Sequence, residues 1–447
     1  MHSINRTKNY YLHLGTHPDP KKHLIVTYKV ESSHSWKKVA TEVAAETSIG
    51  TWTALSTLKP PVAEKLAARV FVIKKTKSCN MGQRVLKIAY PLVLFEKASI
   101  PQLLSGLAGN VFSLKMIPNI RLEDIEFPDA YIKHFQGPAF GKRGVCQALG
   151  IKKRPIVAAI MKPKLGLSAT ENAKLAYELW KNGMDLIKDD ENLTDLDFNQ
   201  FKFRVEKTLY LRNKAEKELG LNKMNGSSRF YKKFLENPNP QGKLASKHKM
   251  YVFNITAVPD IMMERARLVK KAGGKCVMVD IVSVGLDNVQ MLRKANLGLI
   301  IHGHRAGHSA FTRNPKHGIS MLVLAKLARL AGVDQLHTGT VVGKMADTHE
   351  QILAVNKAIT EKWGCLKPTM PIASGGLHPA LVPKLIKKLG KDIIINFGGG
   401  LHGHPDGSKA GARACFQAVE AVMRSVKLKK WAKTHDELWE ALKLWHE

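Results

Sequence analysis

Asp185-Leu-Ile-Lys-Asp-Asp-Glu-Asn192 is a short apolar run that ends in a lysine, three successive carboxylates and an asparagine. Read as a strand over 185–188, it sends successive side chains to opposite faces. Lys188 and Asp190 then share one face, Asp189 takes the other, and Glu191 is free to turn inward where the strand stops. By itself such a cluster is an ion-pair network on a turn or a helix start. A second chemistry is open to it. A lysine amine that takes up CO2 as a carbamate adds an oxygen anion to two carboxylates, the hard-donor set that Mg2+ favours.

The same motif, an apolar run meeting polar residues, recurs along the second part of the chain. Strand candidates fall at 156–161, 185–188, 251–255, 276–281, 297–301, 333–336, 370–373 and 393–397. Amphipathic helical patterns lie between them, as at 170–182, 261–272, 320–331, 349–363 and 379–389. Repeated βα units predict a TIM barrel, whose strands read as continuous apolar runs because both faces are buried. The residues after the runs are Lys162-Pro-Lys164, Asp189-Asp-Glu191, Asn254, Asp280, His302-Gly-His-Arg305, His337-Thr-Gly-Thr340, Ser374-Gly-Gly376 and Gly398-Gly-Gly400. A barrel brings these ends to one mouth, where active sites of this fold sit. Turns serving structure alone call for Gly, Asn and Asp, not lysines, an arginine and histidines.

Upstream, 1–137 reads as a mixed domain, with strands at 24–30, 68–73 and 85–90 and helices at 35–46 and 101–108. A Gly- and Pro-rich stretch at 136–144 marks the junction. The predicted architecture is α/β: an N-terminal α+β domain of ferredoxin-like type over 1–137, then a (β/α)8 barrel over 138–447. The basic, polar stretch 222–249 is expected to be a surface excursion between the second and third strands. An amphipathic end, 428–447, carries three tryptophans and is expected to pack on the barrel or a sister subunit.

Composition narrows the function. The chain has 447 residues and a formal net charge of +33, which favours anionic substrates and their electrostatic capture. Nucleic acid is an unlikely partner, because the lysines are spread along the chain without an RNP, zinc-knuckle or helix-turn-helix signature. No run of eighteen apolar residues is present, so no membrane partner is expected. The first residues lack the apolar core of a secretory signal, and five scattered cysteines read as free thiols, pointing to the cytoplasm.

The mouth residues suggest specific chemistry. Ser374, Gly375 and Gly376, with Gly398 and Gly399, follow the seventh and eighth strands, a recurrent phosphate position in barrels. The helix beginning near Ser408 would add its positive end. Arg305 and His337 can hold a second anion, and two such sites flanking a metal suggest a bisphosphate. Of the histidines His302, His304, His308 and His337, at least two are expected to be functional. Lysines and Mg2+ together suit enolisation, with metal polarisation of a carbonyl and proton shuttling nearby. Lys344, in the loop 341–345, is placed to close over substrate, with Gly343 absorbing the bend.

Lys162-Pro-Lys-Leu-Gly-Leu-Ser168, Lys188-Asp-Asp-Glu-Asn192, His304-Arg305, His337-Thr-Gly-Thr-Val-Val-Gly-Lys344, Ser374-Gly-Gly-Leu-His378 and Phe397-Gly-Gly-Gly400 together resemble the ribulose-1,5-bisphosphate carboxylase/oxygenase large subunit. Glu46-Thr-Ser-Ile-Gly-Thr-Trp52 and Gly109-Asn-Val-Phe112 match as well, and the absence of plant-like flanks makes the likeness archaeal in type. The resemblance implies carboxylation of ribulose 1,5-bisphosphate by CO2, with O2 competing, on Mg2+ held by carbamylated Lys188, Asp190 and Glu191. Lys162 and His304 would move protons, Lys164 would support the site, and Lys344 would stabilise the new carboxylate. Thr51, Trp52, Gly376, Gly398 and Gly399 would take one phosphate; Arg305, His337 and Ser374 the other. Glu46, Thr51, Trp52 and Asn110 would complete a neighbour's site, implying a homodimer or an assembly of dimers with no small subunit. Some archaeal relatives serve nucleoside salvage rather than carbon fixation. Two departures stand out: Ile160 where the family usually has Thr, and Ala346-Asp347 where Glu-Gly is usual.

Overall fold

The computed structural model describes residues 9–51, 53, 55–76, 82–221, 244–343 and 347–445. The chain forms two compact units, one made of Met1–Gln136, Gly307–Ala331 and Lys362–Leu366, the other of the remaining segments.

In the first unit, strands β1 (His23–Glu31), β2 (Arg69–Lys75), β3 (Gln83–Pro91) and β4 (Asn119–Glu126) alternate with the helices Trp36–Glu46 and Ile100–Ala108 in a βαββαβ order. β1 lies between β3 and β4 and antiparallel to both, and β2 pairs antiparallel with β3, the split βαβ arrangement. Along β1 the residues Leu24, Val26, Tyr28 and Val30 are fully buried, as a two-residue period requires. Tyr28 also donates its hydroxyl to the Leu107 carbonyl at 2.7 Å, tying the second helix to the sheet. Sequence patterning missed β4, whose eight residues include Arg121, Glu123, Asp124 and Glu126. Its charges are answered from beyond residue 300: the buried Arg121 donates to the Asn314 carbonyl at 2.6 Å, and Asp124 pairs with Lys326.

The second unit holds β5 (Ile156–Ile160), β6 (Leu186–Lys188), β7 (Met250–Asn254), β8 (Cys276–Asp280) and β9 (Ile300–His304). The two-residue β10 (Gly318–Ile319) instead adds to the first unit's sheet, parallel to β4. β11 (Gln335–His337), β12 (Met370–Ser374) and β13 (Ile394–Phe397) then complete a closed parallel barrel in the order β11-β12-β13-β5-β6-β7-β8-β9. Capping boxes start two of its helices: Ser168 with Glu171 before Ala169–Lys181, and Thr348 with Gln351 before His349–Thr360. Inside the barrel, Ile156, Ala158, Leu186, Val252, Met278, Ile300, Ile372 and Ile394 form one apolar cluster with Val145 and Leu149 of the helix Gly141–Leu149.

The predicted fold class is present, with local corrections. The fifth barrel strand begins at Ile300 rather than 297, because Asn296 and Gly298 adopt positive φ (46° and 65°) and make a turn there. His302 and His304 are therefore strand residues. The end segment is two helices, Leu428–Ala432 and Asp436–Leu444, the second packed on Gly407–Met423. Of the stretch 222–249, residues 222–243 lie outside the described residues. Residues 244–249 are no surface excursion: the Leu244 carbonyl accepts from Arg154 at 2.6 Å, and Lys247 N–H donates to the Leu149 carbonyl at 2.9 Å. Among the described residues, Cys146, Cys276, Cys365 and Cys415 carry free thiols, and no helix is long and apolar enough to cross a membrane.

Candidate active site

Barrel strands present every second side chain inward. Continuing from the apolar cluster toward each C-terminal end, Leu186 leads to Lys188, Val252 to Asn254, Met278 to Asp280, and Ile300 to His302 and His304. Gln335 leads to His337, Ile372 to Ser374, and Ile394 to Asn396. Ala158 leads to Ile160, so this strand alone ends its inward row on a hydrocarbon, facing Gly398. One layer of the same alternation is thus core, and the next is chemistry.

Lys188 is fully buried, and its Nζ donates to the Asp189 carbonyl oxygen at 2.8 Å. Burial pulls its amine below the usual lysine range, against the opposing pull of Glu191, Asp190, Asp280 and Asp189. Asp189 points the other way, as the alternation predicts. It accepts from the Tyr251 hydroxyl at 2.6 Å, from Asn254 N–H at 2.9 Å and from Arg204 at 3.2 Å. Asp190 turns to the mouth and accepts from Lys162 Nζ at 2.7 Å. Glu191 lies 3.5 Å from Lys164 and 3.8 Å from His304. Burial raises its pKa, but Lys188 and His304 outweigh that and hold it at about 2. The Asn254 side-chain amide pins the turn by donating to the Glu191 carbonyl at 2.9 Å.

Around the rim, His304 Nδ1 sits 2.8 Å from Asp280 Oδ1, which fixes the ring's orientation. His302 and His337 are 2.9 Å apart through their Nε2 atoms, with Gln335 on the far side of His302 and Ser374 Oγ 2.8 Å from His337 Nδ1. Burial lowers the pKa of both rings well below the usual histidine value, so this row is neutral. His308 belongs to the first unit, where its Nδ1 lies 2.9 Å from Thr312 Oγ1. Arg305 pairs with Asp347 at 2.7 Å.

The glycine loops have the shape an anion cradle needs. Gly375 and Gly376 take positive φ (110° and 71°), and nothing stands within 4 Å of the Cβ position at Gly399. The long helix starts at Gly407, near Ser408 as expected, and the glycine run opens a separate short turn, Gly399–His402. Ser408 Oγ lies 2.9 Å from His402 Nδ1.

The second unit thus gathers Lys162, Lys164, Lys188, Asp190, Glu191, His304, Arg305, His337, Ser374 and the glycine loops. Glu46, Thr51 and Asn110 belong to the first unit, where the helix ending at Glu46 packs on the turn Asn110–Ser113. Trp52 and Lys344 lie outside the described residues. Sequence reasoning did not single out Asp280 as the partner of His304, Asn254 as the pin of the acidic turn, or Asp347 as the partner of Arg305. The first two signals were available, since both residues end barrel strands. Among the described residues no three His, Cys, Asp or Glu side chains converge to hold a metal unaided. Asp190 and Glu191 do fit a hard cation if the neighbouring Lys188 amine becomes an oxygen donor.

Residues 143–227 and 239–445 match the family model for the ribulose bisphosphate carboxylase large chain, catalytic domain, and residues 10–131 match that for its N-terminal domain. The chain is 46% identical over 425 residues to a ribulose bisphosphate carboxylase of Pyrococcus abyssi, covering 94% of this chain and 93% of that one. It is 42% identical over 451 residues to that of Methanocaldococcus jannaschii, covering 97% and 99%. Among solved structures, an octameric Rubisco from Pyrococcus horikoshii superposes with a TM-score of 0.87 at 44% identity, covering 97% of this chain and 96% of that one. A dimeric archaeal Rubisco from Hyperthermus butylicus gives 0.86 at 39% identity, covering 98% and 99%.

Proposed function

Because the chain belongs to the ribulose bisphosphate carboxylase large-chain family, we propose that it adds CO2 to ribulose 1,5-bisphosphate and cleaves the adduct to two 3-phosphoglycerates, with O2 competing. The observation that carries this reading is Lys188, a fully buried lysine among Asp190, Glu191 and Asp280 at the open end of a barrel strand. Burial favours its neutral amine, the form that attacks CO2. The N–C bond forms, the amine nitrogen gives up one proton, and a buried neutral amine becomes an anion. That carbamate, Asp190 and Glu191 would hold Mg2+. A Mg2+ ion held there would supply Lewis-acid polarisation of the substrate carbonyl.

The remaining work falls to side chains. Lys162, partly exposed and 2.7 Å from Asp190, moves protons at the substrate in enolisation and product release. His304, oriented by Asp280, is the second acid–base group. Lys164 supports the site, and Lys344 stabilises the new carboxylate. Gly375, Gly376, Gly398 and Gly399 offer backbone N–H groups to one phosphate; Arg305, His337 and Ser374 take the other. His337, kept neutral by burial, contributes hydrogen bonding rather than charge. Glu46, Thr51, Trp52 and Asn110 of a second copy complete the site, so the active unit is a head-to-tail homodimer or an assembly of such dimers.

Radiolabelled CO2 supplied with ribulose 1,5-bisphosphate and Mg2+ tests this. Label in acid-stable product, increased by preincubation with CO2 and Mg2+, is expected. Turnover of the sugar phosphate without label would instead assign an enolase or isomerase.

A further inference from the structure

Arg305 already has an anion. Its Nη2 donates to Asp347 Oδ2 at 2.7 Å, with the arginine side chain 6% and the carboxylate 20% exposed. Its Nη1 is buried and, among the described residues, has no hydrogen-bond partner. A guanidinium is a planar fork suited to an oxyanion that fills both prongs, and a buried donor left open carries a desolvation cost. Here the carboxylate fills one prong and leaves the other vacant. The backbone is shaped to the pair. Gly339 takes a φ of +91°, and a Cβ there would stand 2.7 Å from Arg305 Nη2 and 3.1 Å from Asp347 Oδ2.

We propose that Asp347 is an internal competitor for the substrate phosphate, holding Arg305 until a phosphate able to engage both prongs displaces it. This rests on the reading of Arg305 as a phosphate ligand. A phosphate carries about −1.5 to −2 charge and three acceptor oxygens near neutral pH, against one charge on the carboxylate. Displacement therefore favours the dianion. The pair nonetheless lowers apparent affinity, because only the fraction of molecules with Arg305 released is competent to bind. Asp347 acts through Arg305 on binding and touches none of the reacting atoms, which makes it a positioning residue for specificity.

The test compares the full-length protein with Asp347→Asn and Asp347→Glu, measuring inorganic phosphate binding by calorimetry and steady-state kinetics with the bisphosphate. The Asn variant should bind phosphate about tenfold more tightly, a usual size for coupled sites, and should lower KM by a similar factor with kcat unchanged. Asp347→Glu, which keeps the charge, should stay near the wild type. The tightening should vanish in an Arg305→Met/Asp347→Asn double variant. Phosphate binding that is unchanged or weaker in the Asn variant, or tightening that survives loss of Arg305, overturns the proposal. Tightening without any carboxylation supports it while removing the proposed reaction; carboxylation with an unchanged KM does the reverse.

Discussion

The two ends of the barrel both bury charge, and they do so differently. At the N-terminal end, Asp185 accepts two bonds from Arg154, at 2.6 and 2.9 Å, and a third from Val157 N–H at 2.9 Å. Asp334 accepts from the N–H groups of Phe140, Gly141 and Ile301 at 2.7, 2.9 and 2.9 Å, and from Arg293. These carboxylates are saturated, and each joins segments far apart in the chain. At the mouth, among the described residues, the Lys188 amine has one hydrogen bond and Arg305 leaves a buried nitrogen open. Burial of charge is common to both ends and marks neither as functional. The open nitrogen of Arg305 sets the mouth apart, because an unsatisfied buried donor is a cost that a ligand can remove.

Substitutions that exchange the roles of the two ends would break this distinction. The largest expected effect is at Lys188. Lys188→Ala should reduce carboxylation about 1,000-fold or more, as losing a group that organises transition-state charge does, while the melting temperature changes little. Full activity in that variant would eliminate the carbamate.

At the opposite end, Asp185→Asn leaves Arg154 buried without its counter-charge. It should lower unfolding stability by about 3–5 kcal/mol, read by chemical denaturation, with kcat of the folded protein preserved. Normal stability there would erase the distinction. Asp280→Asn should sharpen it. His304 keeps its place but loses the carboxylate behind it, and kcat should fall about 10–100-fold, the usual cost of removing such a support, with stability nearly constant.

The smallest effect is a pH dependence at the N-terminal end. Lys249 is held at about 8 by burial, with Asp185 pulling it upward. Between that value and the ordinary lysine range the unfolded chain keeps a proton that the folded chain has lost. Stability should therefore rise with pH across this window. Denaturation at pH 8 and pH 10 should show a gain of about 1–3 kcal/mol that Lys249→Met abolishes.

Much of this was legible in order. Apolar runs meeting polar residues predicted the barrel strands, because a strand buried on both faces must be apolar until it reaches the mouth. The split of Asp189 from Lys188 and Asp190 followed from the two-residue period. β4 was not legible, since the groups that neutralise Arg121 and Asp124 lie beyond residue 300. Nor was the tie of residues 244–249 to Arg154 and Leu149, which depends on the barrel already being closed.

The amino-acid order by itself determined the fold class, the mouth on which the chemistry converges and the residue types placed there, because periodicity and strand-end composition are local properties. Only the tertiary structure decided which charges are satisfied. Asp185 and Asp190 look alike in the chain, five residues apart, yet one is saturated by Arg154 while the other faces Lys162 at the open rim. Pairing of that kind depends on closing a barrel whose partners are distant in sequence, and no local window contains it.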